Sequence, residues 1–295
     1  MNPEIKKKYM KAGKIARKAL ERGKEVCDIE VNYLDVAEEV EKVIWDNGAK
    51  PAFPTNVSVN NIGAHYTPVE NEDKTFEKGD VVKIDIGCHV DGYIADNALT
   101  VELGTNRYKS LIEASEESLE FAIKSLRAGM KIRDIGRNIE TVITSKGFNP
   151  ISNLTGHELE QYTLHAGTAI PNVTRGFGKI KKGMVLAIEP FATDGVGKVR
   201  DKEPGEIYKL EKKRRLKGED LEFYTWIEEK FDHLPFAARW CKEYSDDYHE
   251  LLDRLKRFNT VLNYPVLEER KNGMISQREH TVIVTSNGAE ITTKL

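Results

Sequence analysis

The chain contains 295 residues, of which 45 are basic and 48 acidic, so that its formal charge is −3. A chain of this length can bury a substantial core, and no run of about 18 apolar residues indicates a membrane span. The balanced charge excludes a protein that is basic over its whole surface, so we expect no DNA partner. It still allows a local basic patch.

The first part of the chain predicts two amphipathic helices followed by strands. Asn2 and Pro3 provide an N-cap and a first helical position, and apolar residues then recur at helical spacing. Gly23 is expected to end this helix, because glycine commonly terminates helices. A second helix is expected to stop at Asn47-Gly48.

The same order of elements recurs about a hundred residues later. Asp35–Pro51 matches residues 134–150 at a constant offset, and Lys78–Asp85 matches Lys182–Glu189 at another. Two matches in the same order predict a duplicated unit with repeats at about residues 1–103 and 104–197. Helix pairs that precede strands predict an α+β fold in which helices cover one side of an antiparallel sheet.

The sequence changes character between residues 198 and 264, for which neither repeat has a counterpart. Aromatic residues and leucines recur there at helical intervals, so we expect a helical subdomain inserted into a domain formed by residues 1–197 and 265–295. The segment also carries a basic run, expected to be a solvated loop or a contact with ribosomal RNA: Lys209, Lys212, Lys213, Arg214, Arg215 and Lys217.

Two aspartates flank a predicted β-hairpin. Asp91-Gly92 is a strong turn signal between alternating runs. A two-residue turn pairs Asp96 with Gly87, whereas a register shifted by one position would place Asp96 directly opposite Asp85. Both registers put the two carboxylates on one face, about 5–8 Å apart, which by itself is also typical of an ordinary polar sheet face.

The repeat gives these aspartates two further partners. Glu189 occupies the position in the second repeat that Asp85 holds in the first, and Glu279 precedes an apolar run. Buried carboxylates are unfavourable without compensation, and a divalent metal is the ordinary counter-charge. Four carboxylates and one histidine would suit two ions such as Mn, Co, Fe(II) or Zn, which can activate water against a carbonyl or a phosphoryl group.

The chain resembles the methionine aminopeptidases of type 2 in five segments that occur in that family's order. They are Ala-His65-Tyr-Thr-Pro, Lys-Ile-Asp85-Ile-Gly with Ile-Ala-Asp96, Gly-His157 with Leu-His165-Ala-Gly and Ile-Pro-Asn, Ala-Ile-Glu189-Pro-Phe, and Gln-Arg-Glu279-His-Thr. The resemblance covers essentially the whole chain and is greatest to the short archaeal form. It implies the pita-bread fold, two related halves around a dinuclear metal site, with a helical subdomain inserted before the last ligand.

The resemblance also implies roles for individual residues. The metal ligands would be Asp85, Asp96, His157, Glu189 and Glu279, with Asp96 and Glu279 bridging the two ions. His65 and His165 would contact the substrate, and Glu189 would shuttle a proton while metal-activated water attacks the peptide carbonyl. The methionine pocket would be lined by Phe53, Phe191 and Tyr264, which are equally consistent with ordinary core aromatics. Asn56 departs from relatives that have glycine there.

The implied activity is the removal of the initiator methionine from nascent proteins, with a preference for a small second residue. We expect a monomer that contacts the ribosome transiently and no membrane. One alternative is an X-Pro peptidase such as prolidase, which would show a His-Gly-x-Gly-His type of segment and an additional N-terminal domain. The other is a non-catalytic relative that binds ribosomes or RNA, which would lack metal ligands.

The cysteines point to the compartment. Cys27, Cys88 and Cys241 are odd in number and far apart, which predicts reduced thiols in a cytoplasmic protein. Residues 1–10 contain lysines without an apolar core, so no secretory signal is expected. No role is predicted for Cys88 or for His89, although both lie near Asp85.

Overall fold

The computed structural model describes residues 1–212 and 215–294, so Lys213 and Arg214 of the predicted basic run lie outside the described residues. The first half contains helices α1 (Pro3–Val26) and α2 (Tyr33–Asp46) and strands β1 (Lys50–Val59), β2 (Ile62–Ala64), β3 (Val81–Val90) and β4 (Tyr93–Glu102). The second half contains α3 (Lys109–Ser125), α4 (Ile132–Ser145), β5 (Asn149–Pro150), β6 (Thr155–Glu158), β7 (Ala169–Pro171), β8 (Val185–Ile188) and β9 (Phe191–Thr193).

The remainder of the chain adds a further group of helices and strands, and its later strands pair with strands of both halves. It contains β10 (Val199–Leu210), α5 (Glu219–Phe231), β11 (Phe236–Ala237), a 3₁₀ helix (Ala238–Glu243), α6 (Tyr248–Arg257), β12 (Val261–Glu269), β13 (Ile275–Gln277), β14 (His280–Val284) and β15 (Ala289–Ile291). No helix among the described residues is long and apolar enough to cross a membrane.

Helix α1 begins as predicted but does not end as predicted. The Asn2 side chain accepts a hydrogen bond from the Glu4 N–H at 2.8 Å, which caps the helix. The helix then continues through Gly23 to Val26. A Cβ at Gly23 would lie only 2.7 Å from Val40 Cγ2, so this glycine allows α1 and α2 to approach closely rather than ending the helix.

The strands form four sheets whose described pairings are all antiparallel, in the orders β1-β3-β4, β11-β10-β12-β2, β13-β9-β5 and β15-β14-β8-β6-β7. Helices α1 and α2 pack on β1, β3 and β4, and helices α3 and α4 pack on strands of the second half. Each half therefore has its own helix-covered core. This arrangement confirms the predicted α+β class.

The hairpin between β3 and β4 has the two-residue turn. Val90 pairs with Tyr93 and Gly87 with Asp96, so the shifted register is wrong. Asp91 and Gly92 have φ angles of 52° and 82°, as a tight turn with two left-handed residues requires.

The segment between residues 198 and 264 is helical only in its middle. Its first strand, β10, pairs with β12, and β12 pairs with β2 of the first half. The segment therefore also contains a strand at each end, which the helical intervals of residues 221–258 did not indicate. Residues 200–203 of β10 are charged and exposed, so the first part of the strand lacks the apolar alternation that would have revealed it. Helices α5 and α6 share a separate apolar core.

Cys88 and His89 both have structural contacts. All three cysteines are free, as predicted, and all three are buried. The Cys88 thiol donates a hydrogen bond to the Ala12 carbonyl at 3.2 Å, which ties β3 to α1. The Gly92 N–H donates to His89 Nδ1 at 3.0 Å, which braces the hairpin turn.

Candidate metal centre

The two halves meet where residues 279–281 run beside β4. The Glu279 N–H donates to the Ala98 carbonyl at 3.1 Å, and the Asp96 N–H donates to Thr281 Oγ1 at 2.7 Å. Ala98 is the strand partner of Asp85. These bonds bring Glu279, from the end of the chain, beside both aspartates of the first half.

Carboxylates and an imidazole from four different places along the chain converge at this junction. Ligand atoms of Asp96, His157 and Glu279 all lie within 4.8 Å of one another. His157 Nε2 lies 3.6 Å from Asp96 Oδ2 and 3.6 Å from Glu189 Oε1. Both separations exceed a hydrogen bond, so these groups face one another without being bonded to one another.

Gln277 links Asp85, the fifth predicted metal ligand, to Glu279. Its Nε2 donates to Asp85 Oδ2 at 3.0 Å and lies 3.5 Å from Glu279 Oε2. Sequence reasoning missed this residue. The sequence could have indicated Gln277, because it lies two residues before Glu279 in an extended segment, where alternate side chains lie on the same face.

The surroundings of the carboxylates are unfavourable for negative charge. Burial raises the pKa of Asp85 to about 6, and burial with the neighbouring carboxylates raises the pKa of Asp96, Glu189 and Glu279 well above the ordinary range. Within residues 1–212 and 215–294, no lysine or arginine forms an ion pair with any of the four. Burial lowers the pKa of His157 to about 3, so its ring is neutral, as a ligand must be.

Unpartnered polar atoms test whether these residues fit a metal. Asp85 Oδ1, Asp96 Oδ1, His157 Nδ1 and Glu279 Oε1 are buried and have no hydrogen-bond partner in the described part of the chain. Such orphaned atoms are rare in folded proteins and require an explanation. Carboxylate oxygens with an imidazole nitrogen form a donor set for hard-to-borderline divalent ions. The residues present therefore fit a divalent metal.

A cavity of about 330 Å³ opens beside the carboxylates. Every residue predicted for the site lines it: Phe53, His65, Asp85, Asp96, His157, His165, Glu189, Phe191, Tyr264 and Glu279. Sequence reasoning missed that Ile207 and Pro235, from the segment between residues 198 and 264, also line this cavity. That segment therefore forms part of the cavity wall.

His65 is held by its backbone and by its ring. Its φ of 65° is left-handed, and Asn56 Oδ1 accepts the His65 N–H at 2.7 Å, while Asn56 Nδ2 donates to the Pro54 carbonyl at 2.8 Å. His65 Nδ1 lies 3.2 Å from the Pro265 carbonyl. A carbonyl only accepts, so Nδ1 carries the hydrogen, and burial lowers the pKa of His65, which keeps the ring neutral. Nε2 is therefore left as an acceptor.

His165 lies beside His157. The rings of His165 and His157 are 4.5 Å apart between centroids and meet edge to face. The His165 residue is exposed, whereas His157 is buried. The neighbouring Leu164 is buried and lines the cavity.

Aromatic rings form the apolar side of the cavity. Phe53 and Phe191 are buried, and Tyr264 lies against His65 with ring centroids 5.3 Å apart. Phe53 pairs across the sheet with Gly87, where a Cβ would lie 2.2 Å from the Phe53 ring. The absence of a side chain at residue 87 therefore leaves the space that this ring occupies.

Comparisons with known proteins agree in family and fold. Metallopeptidase family M24 matches residues 7–286. The chain is 46% identical to a methionine aminopeptidase of Archaeoglobus fulgidus and 45% identical to one of Methanocaldococcus jannaschii, and each alignment covers all of both chains. The crystal structure of a methionine aminopeptidase from Thermotoga maritima superposes with a TM-score of 0.75 at 27% identity, covering 100% of this chain and 98% of that one. The predicted pita-bread fold is confirmed.

Proposed function

Because the chain belongs to metallopeptidase family M24, we propose that its buried centre removes methionine from the N-terminus of polypeptides. The observation that carries the proposal is the convergence of four carboxylates and His157 on one cavity with an aromatic wall. A metallopeptidase with this ligand group uses a divalent metal. We propose two such ions, drawn from Co, Mn, Fe(II) and Zn. Asp96 and Glu279 would be shared by both ions, Asp85 would hold one ion, and His157 and Glu189 would hold the other.

The bound ions would polarise the peptide carbonyl and lower the pKa of the attacking water. The chain's own residues then position the substrate. Phe53, Phe191 and Tyr264 take the methionine side chain, because an unbranched thioether packs well against aromatic rings. We also propose a preference for a small second residue, as the family resemblance implies.

Proton transfer and orientation involve three further groups. The Glu189 carboxylate, which lines the cavity, accepts a proton from the attacking water and passes it to the leaving amine. His65 Nε2 accepts a hydrogen bond from a substrate N–H, since Nδ1 is occupied by the Pro265 carbonyl. His165, exposed beside His157, contacts the scissile peptide.

We also propose where the protein meets its substrates and how the chain is divided into domains. Substrates would be nascent chains that begin with methionine, met in the cytoplasm by a monomer that contacts the ribosome transiently. Residues 1–197 and 265–295 would form the catalytic domain, and residues 198–264 an inserted subdomain that completes the cavity through Ile207 and Pro235.

Hydrolysis of Met-Ala-Ser, compared with an Ala-Pro-containing peptide, tests the proposal. Met-Ala-Ser should be cleaved with Mn or Co and not after chelation. Cleavage of the proline peptide alone would assign an X-Pro peptidase, and no cleavage with any metal would assign a binding protein.

Two matched substitutions in one hairpin test the ligand assignment. Asp96→Asn should abolish turnover and reduce the bound metal measured by elemental analysis, because Asp96 is buried in the centre. Asp91→Asn should retain both, since Asp91 lies in the exposed turn and pairs with Lys8 at 2.8 Å. Full activity of the Asp96 variant would refute the assignment.

A further inference from the structure

Exposed basic side chains gather in two neighbouring segments of the second half, away from the cavity. Residues 127–133 precede and begin α4, and residues 172–184 follow β7. Neither segment contains an aspartate or a glutamate. We define the basic loop surface as Phe177 together with seven exposed cations, none of which lines the cavity: Arg127, Lys131, Arg133, Arg175, Lys179, Lys181 and Lys182.

Backbone bonds hold the two segments together. Lys131 and Lys179 form an isolated antiparallel bridge. The Ile180 N–H donates to the Met130 carbonyl at 2.9 Å, and the Gly129 N–H donates to the Ile180 carbonyl at 2.8 Å. The cations therefore belong to one preformed surface, although they are about fifty residues apart in the sequence.

This surface has no internal neutralisation. In residues 1–212 and 215–294, no acidic side chain forms an ion pair with any of its seven cations, whereas the nearby Arg137 pairs with Asp134 at 3.0 Å. The whole chain nevertheless carries a formal charge of −3. Like charges concentrated in this way repel one another and attract a polyanion.

Phe177 projects from the middle of these charges. It is 99% exposed and stands between Gly176 and Gly178, whose φ angles are 97° and 94°. A Cβ on Gly176 would lie 2.9 Å from Ile132 Cγ2, so the turn that presents the ring requires glycine. An exposed phenylalanine forgoes about 1.5–3 kcal/mol of burial, which indicates that the ring is positioned for a contact outside the chain.

We propose that the basic loop surface binds an unpaired RNA segment, with Phe177 stacked on a base and the surrounding cations on phosphates. An aromatic ring among cations is the combination by which proteins hold unstacked bases and their backbone. Binding to an anionic membrane is less well matched, since it uses an apolar helix face, and Phe177 is the only exposed aromatic residue in the two segments. The inference is independent of the proposed peptidase activity.

Fluorescence anisotropy with a labelled single-stranded RNA of about 20 nucleotides tests the proposal. Affinity should fall with salt, because cations on phosphates release counterions. Phe177→Ala should weaken binding about 5- to 150-fold without changing the salt slope, as expected for one lost stack. Combined Lys179→Ala, Lys181→Ala and Lys182→Ala should reduce the slope by about 2, since each single-strand contact contributes about 0.7.

Control variants match these changes elsewhere. Phe121→Ala removes another exposed phenylalanine, 48% exposed on α3, and should bind as the unmodified chain does. A variant combining Lys212→Ala, Arg215→Ala and Lys217→Ala alters the other basic run and should also bind normally. An unchanged thermal midpoint shows that each variant folds.

Three results would overturn the proposal. The first is equal RNA binding by the Phe177 and triple-lysine variants and the unmodified chain. The second is loss of binding only in the variant of residues 212, 215 and 217. The third is binding to phosphatidylserine vesicles with no binding to RNA, which would assign the surface to a membrane.

Discussion

Arg239→Ala is expected to lower the free energy of unfolding by about 3–5 kcal/mol, because it leaves a buried carboxylate without its counter-ion. Arg239 forms an ion pair with Glu41 of α2, and the two side chains are 7% and 9% exposed. The guanidinium also donates to Thr67 Oγ1 at 2.7 Å and to the Pro68 carbonyl at 3.0 Å. Glu41 in turn accepts the Thr55 N–H at 3.2 Å.

A second arginine of the same segment provides a matched control. Arg254 pairs with Glu219 at 2.5 Å and with Asp220 at 2.6 Å, but its side chain is 29% exposed and that of Glu219 is 63% exposed. The Asp220 side chain is 19% exposed, so water reaches this cluster more readily than it reaches Arg239 and Glu41, and Arg254→Ala should cost about 1 kcal/mol. The expected difference between the two variants is therefore about 2–4 kcal/mol.

Urea unfolding of the two variants, and of the double variant Glu41→Ala with Arg239→Ala, measures the effect. The double variant should cost less than the sum of its single changes, because removing both charges leaves neither unpaired. Arg239→Ala should also raise KM for Met-Ala-Ser, since the cluster holds the backbone next to Asn56 and His65. Equal costs for Arg239→Ala and Arg254→Ala, or an additive double variant, would refute this reasoning.

Three other outcomes are expected. Gly87→Ala should raise KM for Met-Ala-Ser more than it lowers kcat, because a Cβ would displace the Phe53 ring; unchanged steady-state constants would contradict the placement of that ring. Burial and Lys50 lower the pKa of His89 in the folded chain to about 4, so the unfolded chain takes up the proton first as pH falls. The free energy of unfolding should therefore fall between about pH 6.5 and pH 4, by up to about 1.4 kcal/mol per pH unit. His89→Gln should make the urea midpoint less dependent on pH in this range, and an unaltered dependence would disprove the assignment. Mn or Co should raise the thermal midpoint of unfolding and chelation should reverse the rise, because the ligands come together only in the folded chain. Asp96→Asn should abolish this rise and Asp91→Asn should retain it. A rise retained by both variants would argue against this centre.

Local chemistry made much of the site predictable. The Asp91-Gly92 turn sets the register of its own hairpin, so Asp85 and Asp96 could be assigned to one face before any tertiary contact was known. The Asn2 cap and the end of α2 at Asn47 are likewise decided by side chains within a few residues. The acidic residues in apolar strands indicated a metal because burial of charge is unfavourable in any fold.

Contacts between distant segments decided the rest. Gly23 looked like a helix end because its partner, Val40, lies on another helix. Strand β10 begins with the charged residues 200–203 and pairs with β12 along its length, which no periodicity in those residues reveals. Asn56 was visible only as a departure from relatives, and its bond to the left-handed backbone of His65 requires the turn between β1 and β2.

The charge of the chain shows the same division. Composition alone determined that the protein is nearly neutral and left room for a local patch. Only the tertiary structure placed four carboxylates together without a lysine or arginine partner in the described residues, and joined Lys131 to Lys179 on a surface around Phe177. The reason is physical: Coulomb energy depends on distance in space and on burial, and neither follows from separation along the sequence.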